Sequence, residues 1–216
     1  MFTNSPLVNF TLISPNNNNP RNQPIRKITI HHVAGVISVE ALGNIFADAN
    51  RQGSSNYGIG SDGRVGLYVE EANRAWTSGS SANDNQAITI EVSNSAVGDP
   101  WPVSDLVLAK LIDLCADICI RNNIPQLIYD GTPDGTLTRH NMFAATECPG
   151  PYLQGKFPYI ADEVNKRLSV AQTEPSAWAA EAWAWGIASG ITDGSRPRDA
   201  ATREEVVTMI KRALRA

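Results

Sequence analysis

The sequence is poor in cysteine, in histidine and in net positive charge, and it contains no long apolar run. Three cysteines in 216 residues are too few, and odd in number, to make a disulfide framework, so the thiols are expected to stay reduced. Lysine and arginine number 18 against 22 acidic residues, a formal charge of −4. That balance excludes nonspecific nucleic-acid binding, which depends on neutralising phosphates. No apolar stretch approaches the roughly 20 residues of a membrane-spanning helix. The opening MFTNSPLVNF has neither a basic n-region nor an apolar h-region, so synthesis in the cytoplasm without a secretory signal is expected. What remains is 42% hydrophobic and 19% charged, a composition that buries a core. The length suits one generous domain or two modest ones.

Asn and Pro dominate residues 5–24 and predict a wandering N-terminal arm outside the core. RKITIHHV (26–33) is β-branched and predicts a strand; residues 38–50 carry Leu42, Ile45, Phe46 and Ala49 at helical spacing behind the N-cap Ser38. NYGIGSDGRVGLYV (56–69) predicts a hairpin, a Gly/Ser/Asn-rich loop follows at 77–85, and AITIEVSN (87–94) predicts another strand. Residues 103–123 form the clearest helix, with Leu106, Ala109, Leu111, Leu114, Cys115, Ile118 and Cys119 on its buried stripe and Ser104 as N-cap. A short strand at 126–130, a loop and a helix at 157–168 complete the unit. Strands interleaved with helices predict an α/β fold, a mixed central β-sheet flanked by helices. The small, polar SVAQTEPS (169–176) reads as a linker between a first domain over 1–168 and a second over 177–216. The second predicts a helix–loop–helix, its later helix opening on a T-x-x-E capping box at Thr202 and Glu205.

The only histidines are His31, His32 and His140, the last eight residues before Cys148. Imidazole and thiolate are preferred zinc ligands, and a catalytic zinc keeps three protein ligands and one open position. Successive strand residues face opposite ways, so His31 and His32 cannot share one site without a bulge. His32 falls on the face of Ile28 and Ile30; His31 falls on the face of Thr29, as Glu91 falls on that of Thr89 and Ser93. The more polar faces thus carry His31 and Glu91, and His31 is the expected ligand. His32 reads as a buried core histidine, and Cys115 and Cys119 read as core residues.

ITIHHVAG, NYGIGSDGRVGLYV, the AW of RAWTSG, AITIEVSN and the late RH…TECPG occur in this order. Together, over roughly residues 25–168, they resemble the zinc-dependent N-acetylmuramoyl-L-alanine amidases related to phage lysozyme-type amidases and peptidoglycan-recognition proteins. The resemblance implies Zn2+ on His31, His140 and Cys148, Glu91 as general base and Thr146 as a neutral donor to the oxyanion. The alternative for Glu91 is a carboxylate paired at a sheet edge, and for Thr146 a loop hydroxyl. Three departures stand out: Ser55 falls where some relatives carry a catalytic Tyr, Asn56 sits where a family His is common, and AWTSG replaces an AWHAG-like segment. Asn56, Tyr57, Trp76 and Asn85 are groove candidates, each also readable as core or surface turn.

The tail, WAAEAWAWGIASGITDGSRPRDAATREEVVTMIKRAL, resembles one surface-layer homology repeat, which implies binding to secondary cell-wall polysaccharide. A lone repeat buries little surface, so it is expected to dock on the first domain or, making a homo-oligomer, on a second chain. The combined expectation is an endolysin-like peptidoglycan hydrolase, made in the cytoplasm and acting at the cell wall after release. A non-catalytic peptidoglycan receptor and a cytosolic muropeptide-recycling amidase are the alternatives; retention of Cys148 speaks against the first and the tail against the second.

Overall fold

The computed structural model describes residues 3–176 and 178–215. Ala177 and Ala216, the expected bounds of the second domain, lie outside the described residues, as do Met1 and Phe2. The chain divides into two compact units, Met1–Asn165 and Lys166–Ala216.

In chain order the first unit contains β1 (Val8–Thr11), β2 (Asn17–Asn18), β3 (Lys27–His32), α1 (Val39–Ala47), β4 (Tyr57–Ile59), β5 (Val65–Leu67), β6 (Arg74–Ala75), α2 (Ser81–Gln86), β7 (Ala87–Val92), α3 (Asp105–Arg121), β8 (Leu137–Arg139) and α4 (Gly150–Thr173), which runs on into the second unit. Six strands make one sheet in the order β1-β5-β4-β7-β3-β8, parallel at every pair except β4–β5. The α/β expectation holds. Ile28, Ile30, Ile88 and Ile90 are fully buried, as the alternation of the two central strands requires. The hairpin is β4–β5, and Ser38 and Ser104 cap α1 and α3.

Several expectations fail for identifiable reasons. The N-terminal arm belongs to the fold: β1 alternates half-buried Val8 and Phe10 with exposed Asn9 and Thr11 and pairs with β5. Phe10 packs on Leu42, Phe46 and Tyr68. Further along, the buried Arg21 guanidinium donates to the carbonyls of Glu71, Asn73, Asn85 and Ala87. A single side chain thus satisfies backbone acceptors from two stretches, 71–73 and 85–87, which fixes an arm poor in apolar residues. Residues 126–130 are not a strand. Leu127 exchanges both backbone bonds with the Asn165 side chain, and Ile128 N donates to Thr136 Oγ1; the strand is the later β8. Residues 81–86 in the expected loop form α2, capped by Ser80. Leu106, at 58% exposure, and the exposed Ala109 leave the α3 stripe, which Val107 and Leu108 join instead. Ser169–Thr173, expected as linker, continue α4, since nothing in that stretch breaks a helix before Pro175.

In the second unit, α5 (Ala180–Ala188) and α6 (Arg203–Ala213) form the expected helix–loop–helix. The capping box closes as expected, with Glu205 N donating to Thr202 Oγ1 at 3.1 Å and Thr202 N to Glu205 Oε2 at 2.7 Å. Ile191 and Gly186 are buried, whereas Trp178 is 88% and Leu214 84% exposed.

Candidate metal centre and active site

The centre grows from the register of two neighbouring parallel strands. β3 and β7 pair Ile28 with Ile88, Ile30 with Ile90, and His31 with Glu91. Paired residues share a face, so His31 and Glu91 stand side by side on the sheet. Gly58 of β4 is in register with Glu91. A Cβ at Gly58 would lie 2.6 Å from Leu42 Cδ2 and 2.7 Å from Tyr68 Cε2, so α1 closes that face next to Glu91. The polar face continues inward through Thr29, whose hydroxyl meets that of Thr138 on β8 at 2.9 Å.

His140 opens a single 3-10 turn directly after β8. Cys148 reaches the site from the following loop, held by three contacts. Its N donates to Thr146 Oγ1 at 3.2 Å, its carbonyl accepts from Asn141 N at 3.1 Å, and its Sγ accepts from His32 N at 3.3 Å. The bond to Asn141 ties the loop to the turn that carries His140. A strand and, more than a hundred residues on, a turn with its following loop thereby converge: the ligand atoms of His31, His140 and Cys148 all lie within 4.8 Å of one another. The His31 and His140 ring centroids are 4.5 Å apart.

Burial sets the charge state of these groups. His31 is held well below the ordinary imidazole range by burial and then by His140 and His32; His140 is lowered by burial against the opposing pull of Asp84. Both are therefore neutral, the form that binds metal. Burial, helped by Glu91, pushes the Cys148 thiol up. The Glu91 carboxyl is raised to about 8 by burial, with Arg51 opposing. Among the described residues, His31 Nε2, His32 Nδ1, Asn83 Oδ1 and Glu91 Oε2 are buried polar atoms without a hydrogen-bond partner. Native interiors rarely leave such atoms unpaired. Unpaired atoms on His31 and Glu91, beside a soft sulfur and two neutral imidazoles, fit a divalent ion such as zinc and a water next to it.

The remaining candidates divide. Thr146 is exposed beside Cys148. Asn56 and Tyr57 are fully buried, which corrects their reading as groove residues. The Asn56 amide donates to Val69 O and accepts from Thr89 N, and the Tyr57 hydroxyl donates to Glu71 at 2.6 Å. Asn85 is spent on Asn22 N and Ser81 O, so it braces the N-terminal arm. Trp76 is half-buried and donates from Nε1 to Asn18. Cys115 and Cys119 are buried in α3 with raised thiols, Cys119 to about 12, as expected of core residues. His32 is buried as expected, although its Nδ1 is unpaired. Asn94 and Trp101, which adjoin His32, carried no motif signal; only the position of Asn94 at the end of AITIEVSN hinted at the site.

A family profile described as N-acetylmuramoyl-L-alanine amidase matches residues 21–151, more than half of the chain. No curated protein matches it. Among solved structures, it is similar to the Staphylococcus aureus hydrolase AmiA in complex with its ligand, at 14% identity and TM-score 0.60, over 78% of this chain and 86% of that one. A mutant endolysin from Bacillus subtilis aligns at 18% identity and TM-score 0.57, over 73% and 99%. The N-acetylmuramoyl-L-alanine amidase LysC from Clostridium intestinale aligns at 19% and 0.53, over 70% and 93%. At such identities the likeness is one of fold, and it agrees with the mixed sheet described above. With the profile spanning β3 through the Cys148 loop, the chain belongs to the N-acetylmuramoyl-L-alanine amidase family and is a peptidoglycan hydrolase.

Proposed function

We propose that the protein is an endolysin-type zinc amidase that cuts the bond between N-acetylmuramic acid and the first L-alanine of the stem peptide. The observation that carries this reading is the convergence of His31, His140 and Cys148 within 4.8 Å beside an unpaired, buried Glu91 Oε2. His31, His140 and Cys148 would hold the ion. Zinc, when bound, supplies a Lewis acid that acidifies water and polarises a carbonyl. Glu91 accepts the proton of the attacking water and passes it to the departing alanine nitrogen, which does not leave as an anion. Its burial matches that work, since a base must also become an acid within one turnover. Thr146 Oγ1 accepts from Cys148 N, which leaves its own proton free to donate to the oxyanion. Trp76, half-buried, remains a wall candidate.

The second unit is read as a wall anchor. It carries a groove of about 610 Å³ lined by Trp183, Asp193, Arg196, Thr208 and Arg212 among others. Asp199, Glu204 and Glu205 line it too, and Glu205 pairs with Arg196 at 2.5 Å, so the anchor reading rests on the resemblance of the tail and on the aromatic, which suits a sugar face. The exposed Trp178 and Leu214 of this unit suit the expected docking on the first unit or on a second chain. Release from the cytoplasm to the wall follows the same endolysin reading.

Incubation of purified walls tests the reaction. New L-alanine amino termini without new reducing ends, stopped by chelator and restored by zinc, are expected. Intact walls with tight binding would instead make the protein a receptor, and cleavage confined to soluble muropeptides would make it a recycling enzyme.

A further inference from the structure

Trp101 lies against His32 and the loop that follows Cys148, where a Cβ on Gly150 would stand 3.1 Å from both Trp101 Cβ and His32 Cε1; its φ is +59°, a left-handed conformation that a bulky L-residue seldom adopts and that persists only where its surroundings impose it. They do so here. Trp101 N closes a turn on Gly98 O at 2.7 Å, and Tyr152 N donates to Pro100 O at 3.0 Å. The Trp101 carbonyl accepts from the buried Asn94 Nδ2 at 2.8 Å. Asn94 also accepts from Gly35 N at 3.2 Å and donates its own N to Gly35 O at 2.9 Å. One buried side chain thus ties together the loops that follow β3 and β7. Ala34, at the start of the first loop, is left-handed as well, with φ at +52°.

What these loops present is apolar and open. The Trp101 residue is half-buried. Its ring meets His32 edge to face, with centroids 5.4 Å apart and planes at 83°. A contact of that kind covers one indole face at most. Val36 and Val97, on the two tied loops, are 52% and 74% exposed. Cys148 Sγ accepts from the His32 amide at 3.3 Å. Glu147 and Asp99 are exposed beside this surface, and the field of Glu147 reaches His32. Such a surface disfavours the carboxylates of a stem peptide and favours a neutral ring with one apolar face. A pyranose has that character, with axial C–H groups to lay on an indole and hydroxyls left to water.

Building on the amidase reading above, we propose that Trp101 is a specificity-determining residue that receives the N-acetylmuramic acid ring and so sets the side of the site on which the glycan lies. The test compares two soluble substrates, muramyl dipeptide and its sugar-free analogue, in which a methyl group replaces the sugar on the lactyl ether oxygen. The native enzyme is expected to favour the sugar-bearing substrate by roughly tenfold in kcat/KM. Trp101→Ala should lose that preference through KM, with zinc content and the rate on the analogue unchanged. Trp101→Leu keeps an apolar side chain against His32 without a π face; it should behave likewise and decides the matter if the alanine variant fails to fold. A preference that survives in Trp101→Leu, or equal losses on both substrates, overturns the proposal, as does loss of zinc in both variants. Failure of the native protein to cut either substrate would instead overturn the amidase reading itself.

Discussion

At the scale of single residues, the centre is a set of groups that burial keeps uncharged. Removing the proposed base while keeping its shape should separate chemistry from metal binding. Glu91→Gln is expected to retain zinc by elemental analysis and to lose about 100-fold or more in amino-terminus release, the range of a general base. Its protonation also has a stability consequence. In the metal-free protein the Glu91 carboxyl titrates at about 8 rather than 4.5, so between those values the folded state holds a proton that the unfolded chain has released. Metal-free stability should therefore fall as pH rises from about 4.5 through 8, and Glu91→Gln should flatten that slope in denaturant melts with chelator. The raised Cys148 thiol predicts a further effect: zinc loading at neutral pH should expel a proton and weaken as pH falls. Calorimetric titrations in buffers of different ionisation enthalpy would detect it. Strand alternation was enough to choose His31 over His32 and to put Glu91 on the same face. It could not bring His140 and Cys148 to them, because that closure depends on loop bonds such as Asn141 N to Cys148 O, which leave no periodic trace. Asn56 and Tyr57 misled for the opposite reason, since their polar atoms are consumed inside the protein by Val69, Thr89 and Glu71.

At the scale of elements, α1 and the sheet meet where Gly58 allows them to. Gly58→Ala would drive a methyl into Leu42 and into Tyr68, whose hydroxyl is pinned to Val39 O at 2.8 Å. Overpacking of this kind costs about 1–3 kcal/mol, and a drop of several degrees in Tm is expected by calorimetry. Long periodic elements such as α3, with its Ser104 cap, were legible because burial and spacing agree. The short ones were not: β1 and β8 hold four and three residues, too few to show a period. In β1 the pairing partner and Phe10 decide the structure. QLIYD at 126–130, with Leu127, Ile128 and Tyr129 in a row, looked more like a strand than β8 does, yet Asn165 takes both backbone bonds of Leu127.

At the scale of the whole molecule, the chain joins a catalytic unit to a small second unit with its own groove. Deleting residues 174–216 should leave cleavage of soluble muropeptides within about twofold while lowering the fraction that sediments with walls; equal sedimentation would remove the anchor role. The composition changes after residue 168, whereas the two compact units divide at Asn165 and Lys166 and α4 runs through the division. The catalytic unit also has an uneven architecture. His31 and Glu91 sit on central strands paired from Lys27 to His32, whereas His140 and Cys148 ride on a turn and a loop. Local openings begin where backbone pairing is sparse. Warming should therefore release the ion while the strands are still paired. The enzyme would fall silent some degrees before it melts, and cooling in the presence of zinc would revive it without refolding.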